Sequence, residues 1–448
     1  MRKTATYTAW IIGFLLSFVG VALIYSASRR IYGTELLWRQ LTWMTIGMAA
    51  AWLISRFERR RIYRASWILY GIGILFLVIT LLFGTTVRGD RSWLNLGLFQ
   101  LQSSEPMKVL LVLAWARLGG IAARGEHSRL QTLLYSLIVF LVPLGLVLLQ
   151  PDLGTALVYL AMFGGWLFVA GFWKEGFFYL GCFGAGVAGI FAVIHDGFVQ
   201  GILWHPWLSA LQDDHHYLLL GVFSMLVVTL VLGSYLISKQ LRLFPALVTV
   251  FLVFLMGMQL VPALKDYQLQ RLKVYFDPYT APLDSGYNII QAQIAIGSGG
   301  WLGQGYLEGS QSQLGFIPEL WTDFIFSVSV EEFGLFFGFG LLITLGIYVY
   351  CFFSISSLSA DWESYYISAG MGLIVLIHTV INTGVCVGLI PVVGLPLPFL
   401  SYGGSFLVTN WVLLGVLSVV SRRLSGQALL QSPPVSDRMR RSPVDMPA

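Results

Sequence analysis

Apolar residues run through this chain in blocks of about twenty, separated by short polar stretches, and a block of that length crosses the hydrocarbon core of a bilayer as a helix. Blocks near 7–27, 36–55, 65–84, 105–122, 131–149, 153–172, 176–195, 216–237, 243–263, 321–350, 365–388 and 404–421 predict twelve spanning helices. The first resembles a secretory signal, with Arg2 and Lys3 before it and Ser26-Ala27-Ser28 after it. Its apolar run exceeds the roughly 7–15 residues of a signal core, so it reads as a membrane helix. Two regions depart from the pattern. Residues 264–320 form a long loop in which Gly297, Gly299, Gly300, Gly303 and Gly305 mark tight turns, and "YNIIQAQIAI" (287–296) predicts a short helix lying on the membrane surface. Residues 389–405, "LIPVVGLPLPFLSYGGS", are apolar but interrupted by Pro391, Pro396 and Pro398. Irregular backbone at membrane depth is tolerated inside protein or along a cavity, so this stretch predicts a re-entrant loop lining a site. Residues 425–448 are polar and rich in Pro and Ser, which predicts a disordered tail.

Composition agrees with the pattern. Of 448 residues, 57% are hydrophobic and 11% charged, against about 25% charged in soluble domains. The fold class is therefore all-α: a polytopic membrane helix bundle. The net charge of +5 is spread over short loops, which argues against nucleic acid as a partner. Cys182, Cys351 and Cys386 lie singly in apolar runs and read as small core residues. With the N-terminus in the cytoplasm, 18 of the 27 Lys and Arg fall on the inner side and 8 on the outer, with Arg39 inside the second helix. That bias puts both termini inside. Six of the outer cations sit in just two segments, 85–108 and 264–276, as if facing an anion; the plainer reading is that they reach for lipid phosphates.

Candidate chemistry begins with "IPELWTDFIFSVSVEEFG" (317–334), where Glu319, Asp323, Glu331 and Glu332 interrupt an apolar helix. A carboxylate at bilayer depth costs roughly 2.5–3.5 kcal/mol. A helix starting near Pro318 would put Glu319, Asp323, Ser327 and Glu331 on one face, four residues apart. Asp323, about one turn below the outer surface, is the strongest functional candidate. Glu319 suits a helix N-terminus, and Glu331 suits pairing with an Arg or a Ser. In "VRGDRSWLNLGLFQLQSSEPMKVLL" (87–111), Ser103 or Ser104 could cap the fourth helix, and Lys108 with Arg91 and Trp93 would suit a phosphate or pyrophosphate. The plainer reading is a local Glu105–Lys108 pair. In "QPDLGTA" (150–156), Asp152 is a natural helix cap. "DDHH" (213–216), with His195 and His205 upstream, shows no metal-ligand spacing and reads as a polar helix cap.

"SSEPMK", "QPDLGTA", "QRLKVYFDP", "GYNIIQAQIAIGSGGWLGQG", "GSQSQLGFIPELWTDFIFSVSVEEFG" and "GLPLPFLSYGGS" occur in the order found in the SEDS family (shape, elongation, division and sporulation), which this chain resembles over about residues 7–423. The "GSQSQLGFIPE" lead-in is more similar to the RodA branch than to the FtsW division branch. The resemblance implies a peptidoglycan glycosyltransferase of the cytoplasmic membrane, serving cell elongation and rod shape. It would polymerise lipid II, an undecaprenyl-pyrophosphate disaccharide-pentapeptide, at the outer face, beside a class B penicillin-binding protein and other membrane proteins of the rod complex. The family's essential aspartate falls on Asp323. Two features depart from the family. Trp321 stands where it usually has His, and about two extra helices within 198–263 precede "DYQLQR" (266–271), a pair that leaves the next loop on the outer side. The implied architecture is a membrane domain over 1–424, a family core of ten helices plus this pair, with the outer loop at 264–320.

The implied reaction is an inverting displacement with Asp323 as base. The leaving pyrophosphate needs positive charge, for which Lys108 and Arg91, then Arg271, are the candidates, with or without a divalent cation (Mg or Mn). Trp93, Glu105, Glu319 and Ser401 would line the substrate site, with Asp152, Ser327 and Glu331 in support. The rival class is a lipid II flippase, but no matched pair of broken helices marks the two halves.

Overall fold

The computed structural model describes residues 2–87, 90–95, 97, 100–194, 275, 285–314 and 320–422. The helices expected at 216–237 and 243–263, and with them the inserted pair 198–263, lie outside the described residues. So do Arg271, Glu319, the "DDHH" segment and the 425–448 tail.

Twelve α-helices occur among the described residues: α1 (Arg2–Tyr32), α2 (Glu35–Ser55), α3 (Arg59–Phe83), α4 (Ser104–Ala123), α5 (Arg129–Leu149), α6 (Leu153–Val169), α7 (Trp173–Ile194), α8 (Ser285–Gly299), α9 (Ser310–Leu314), α10 (Ile325–Ser357), α11 (Trp362–Cys386) and α12 (Gly404–Ser421). Seven of them, α1, α3, α4, α5, α10, α11 and α12, are long and apolar enough to cross a membrane. Apolar α6 is shorter, at 17 residues. Helix α2 falls on a predicted span and carries an exposed Glu35–Arg39 ion pair at 2.6 Å. Helix α8 contains the predicted 287–296 segment.

The architecture is the expected all-α membrane bundle, with one small non-helical addition. Between α3 and α4 the chain folds into a small antiparallel sheet, β1 (Thr85–Val87), β2 (Asp90–Asn95) and β3 (Gln100–Gln102), in the order β1-β2-β3. Trp93 pairs with Thr85 on one side and Gln102 on the other.

Two compact units divide the chain. The first comprises residues 1–171 and 291–448, and the second residues 172–290, where α7 is described. In the first unit, α4, α11 and α12 are buried along most of their length, whereas α3, α5 and α10 keep apolar faces exposed at Ile68, Phe83, Ile138, Leu149, Phe336 and Ile343. In a bilayer such faces meet lipid at no cost. Glycines bring α4 and α11 close: a Cβ on Gly370 would lie 2.6 Å from Val112, and one on Gly119 would strike the Tyr366 ring. Small residues at crossings are how membrane helices gain contact when both faces are apolar.

Charged side chains tie the cytoplasmic ends expected for α3, α4 and α11. Glu363 takes Arg124 at 2.7 Å and Arg117 at 3.4 Å. Asp361 takes Arg59 at 2.8 Å and the Tyr63 hydroxyl at 2.9 Å, and also caps α11 by accepting from the Ser364 backbone N–H at 2.8 Å.

Candidate active site

At the opposite end of α11 the chain leaves the helix and runs irregularly to α12. This is the segment 387–403, which takes in most of the loop expected at 389–405. Its prolines bar helix, and its backbone is held by specific partners. Leu397 donates its N–H to Ser401 Oγ at 2.8 Å, and Ser401 Oγ donates to the Thr322 carbonyl at 2.5 Å. Tyr402 donates its N–H to the Trp321 carbonyl at 2.7 Å. The turn 320–324 is thereby lashed to the loop.

Asn382 of α11 completes the tie. Its side-chain amide donates to the Leu395 carbonyl at 2.7 Å and to the Asp323 carbonyl at 2.8 Å. Cys386 Sγ approaches the same Asp323 carbonyl at 3.6 Å. Gly394 (φ +71) faces the carboxylate: a Cβ there would lie 3.6 Å from Asp323 Oδ2. Two other glycines let the loop seat on the bundle. A Cβ on Gly20 of α1 would lie 2.5 Å from the Phe399 carbonyl, and one on Gly154 of α6 would strike the Val393 carbonyl. Phe399 itself has φ +63, unusual for a residue with a side chain, and its ring is wedged edge-on against Tyr348 and Trp411.

The helix expected from near Pro318 is not formed over the described residues 320–324. Residues 320–324 are turn, Phe324 is the N-cap, and α10 starts at Ile325. Asp323 therefore precedes the helix, and the four-residue stripe joining it to Ser327 and Glu331 is not a helical face. The tertiary bonds from Asn382 and Ser401 explain why: they hold the carbonyls of residues 322 and 323. Trp321, which stands where the resembled family usually has His, is half-buried and meets Tyr32 edge-on at 5.3 Å between ring centroids.

Glu331 bonds a Ser, one of its two expected partners, and takes more besides. Its buried carboxylate accepts from the backbone N–H groups of Gln311 at 2.6 Å and Ser312 at 3.0 Å, and from Ser310 Oγ at 3.2 Å. Glu332 accepts from Ser26 Oγ and from Gln313 Nε2. The pair thus fastens α9 to α10 and α1. Helix α10 is broken just beyond, at Gly334 (φ +84), and the freed backbone groups are re-satisfied by the preceding loop. Gln304 and Gly305 donate to the Glu331 and Glu332 carbonyls at 2.9 and 3.0 Å, and Leu335 donates to the Gly300 carbonyl at 2.9 Å. The glycine run at 297–305 serves this contact, since a Cβ on Gly303 would strike Glu332.

Lys108 is wholly buried on α4. Its ammonium donates to Glu105 Oε1 at 2.8 Å and lies 2.8 Å from His378 Nε2 of α11. Glu105 is 2% exposed, and its Oε2 has no hydrogen-bond partner. The expected grouping of Lys108 with Arg91 and Trp93 is not what forms. Arg91 is exposed on β2 and donates to the carbonyls of Gly84 (2.9 Å) and Leu82 (2.8 Å), finishing the end of α3. Neither Ser103 nor Ser104 caps α4 through its side chain; Ser103 Oγ instead accepts from Thr80 Oγ1 at 2.7 Å.

Asp152 caps α6 by accepting from the Thr155 N–H at 2.9 Å. It also receives Gln102 Nε2 of β3 at 3.0 Å, while Gln150 donates to the Leu77 carbonyl at 2.9 Å and its own carbonyl takes the Arg91 N–H at 3.1 Å. "QPDLG" is thus where the sheet is anchored. Reading the sequence missed His378 and Asn382. The available signal was two polar residues one turn apart inside an apolar block, ahead of the broken loop. Among the described residues, no group of three or more His, Cys, Asp or Glu is placed to hold a metal ion.

These features define a polytopic membrane protein with a polar centre beside an irregular loop at one end of its helices. A family model described as "Cell cycle protein" and covering FtsW, RodA and SpoVE matches residues 6–217 and 198–426, and the chain belongs to this family, the SEDS proteins. It is 33% identical to "Peptidoglycan glycosyltransferase RodA" of Treponema pallidum (strain Nichols) over 420 residues, 91% of this chain and 95% of that one. It is 31% identical to "Peptidoglycan glycosyltransferase MrdB" of Escherichia coli (strain K12) over 398 residues, 88% and 87% of the two chains. Among solved structures it is similar to a chain of a peptidoglycan synthase complex that coordinates polymerization and crosslinking, with TM-score 0.62 and 28% identity over 92% of this chain and 97% of that one. Thermus thermophilus RodA, at 24% identity and TM-score 0.55 over 92% and 95% of the two chains, shares the fold.

Proposed function

We propose that this chain is a peptidoglycan glycosyltransferase that polymerises lipid II at the outer face of the cytoplasmic membrane, with Asp323 as general base. The observation that carries the reading is the handling of Asp323. A carboxylate next to a membrane helix is set in a non-helical turn whose carbonyls are held by Asn382 and Ser401, facing a glycine of an irregular loop. Local helix propensity would not build this. Similarity to curated glycosyltransferases over nine-tenths of the chain supports the reaction class.

In the reaction, the acceptor's GlcNAc 4-hydroxyl passes its proton to Asp323 as its oxygen attacks MurNAc C1. The C1–oxygen bond to the lipid pyrophosphate breaks with inversion, and the pyrophosphate leaves as an anion, so no general acid is required. Positive charge favours that departure. Arg91 is exposed and can turn its remaining N–H groups to an anion. Lys108, wholly buried, supplies field rather than contact. The lead-in to α10 favours the elongation branch, for cell elongation and rod shape. The likeness to a chain of a polymerising and crosslinking complex supports a class B penicillin-binding protein as partner.

Purified chain given labelled lipid II in detergent should form glycan polymer, and Asp323→Asn should lower the rate about 10²–10⁴-fold without changing the thermal unfolding midpoint. Normal polymer from Asp323→Asn removes the base. Absence of polymer from the unaltered chain, with lipid transfer across vesicles instead, replaces the enzyme with a flippase.

A further inference from the structure

Helix α11 carries His378 and Asn382 one turn apart, and both are buried. They bond consecutive carbonyls of the loop. Asn382 donates to Leu395 at 2.7 Å, and His378 Nδ1 lies 3.2 Å from the Pro396 carbonyl. On its other side, His378 Nε2 lies 2.8 Å from Lys108 Nζ. An ammonium can only donate, and a carbonyl oxygen can only accept. The two neighbours therefore fix the ring: Nε2 offers its lone pair to Lys108, and Nδ1 carries the proton given to Pro396. A second ring proton would set N–H against N–H at Lys108. Phe406 covers this contact, with its ring centroid 4.9 Å from that of His378 and 6.0 Å from Lys108 Nζ.

We propose that His378 is a positioning residue for the Asp323 centre: a neutral imidazole, protonated on Nδ1, that joins the buried Lys108–Glu105 pair to the loop 387–403 and so fixes the loop against which Asp323 is set. The inference rests on the glycosyltransferase reading of the same site. Its physical basis is that the loop cannot orient itself. Three prolines deny it a helical ladder, so the peptide planes at Leu395 and Pro396 take their direction from α11. Ser401 and Asn382 carry that direction to residues 322 and 323. A shift of about 1 Å in a catalytic group can cost roughly 10²-fold in rate.

Two variants of the full chain separate this role from bulk packing. His378→Leu keeps an apolar side chain of moderate size but offers nothing to Lys108 or Pro396. His378→Gln can restore both contacts, with its oxygen accepting and its amide donating. In steady-state lipid II polymerisation, His378→Leu should lower kcat about tenfold or more with KM changed less than about twofold, and amide hydrogen exchange across 388–403 should accelerate. His378→Gln should return kcat to within about threefold of the unaltered chain and restore protection. Unaltered kcat and exchange in His378→Leu would overturn the proposal, as would a His378→Gln as impaired as His378→Leu. If His378→Leu does not fold, His378→Gln decides alone: a loss above tenfold refutes the role, and near-normal kcat upholds it. If the unaltered chain makes no polymer, the glycosyltransferase reading fails, and the exchange comparison still judges the coupling of His378 to the loop.

Discussion

Charged groups of α4 meet α11 at two places, and the two meetings differ in kind. At the first, Glu363 faces two arginines, Arg117 and Arg124, whose side chains are 33% and 42% exposed. Water shares that load, and removing one arginine leaves another. At the second, Lys108 and Glu105 are 0% and 2% exposed, and a neutral histidine of α11 occupies one of the ammonium's donors. Nothing there dilutes a mistake. A buried pair gives little net stability over apolar residues of the same size, yet it is costly to break from one side. Its value therefore lies in what it holds still: the loop beside Asp323.

Substitutions at the two places test whether they differ as described. Lys108→Met should have the largest effect, because it leaves Glu105 buried and without a cation. A loss of about 3–5 kcal/mol is expected, read as the shift in an SDS-unfolding titration. The double variant Glu105→Leu/Lys108→Met should recover most of that stability while polymerisation stays depressed; a double variant with normal polymerisation would make the Lys108–Glu105 pair as plainly structural as the Glu363 cluster. Next is Gly154→Ala, whose new methyl would meet the Val393 carbonyl. It should cost about 1–3 kcal/mol and slow polymerisation, since backbone must move to admit it. Smallest is Glu363→Gln. With both arginine partners a third or more exposed, it should cost about 0.5–1 kcal/mol and leave turnover per folded molecule unchanged.

The helices were legible because a spanning helix needs only length and apolarity, and α3, α4, α5, α11 and α12 begin or end within a few residues of where hydropathy put them. The irregular stretch at 389–405 was legible from its prolines. What was not legible arises from contacts between distant segments. The sheet at 85–102 looks like an ordinary polar connection, because its anchors, Gln150 and Asp152, lie some fifty residues on. Asp323 stands out in the sequence as an oddity, but its helical stripe is an artefact of local periodicity. The turn at 320–324 exists because Asn382, Ser401 and Tyr402 claim its carbonyls, and no window around residue 323 contains them. Glu331 shows the same limit, since its partners at 310–312 belong to a segment that reads as loop. His378 was passed over for want of a neighbour in sequence.

The seating of the loop at 387–403 has one more consequence, for how this site can change over generations. Most of what is held is main chain: carbonyls at 322, 323, 395 and 396, N–H groups at 397 and 402, and bare glycine faces at 20, 154 and 394. Side chains that the loop turns outward can therefore drift without moving its path. The few positions that cannot drift are those glycines and the three side chains that bond the backbone, His378, Asn382 and Ser401. An inhibitor that gripped the loop's path rather than its outward side chains would leave a cell few single substitutions by which to escape.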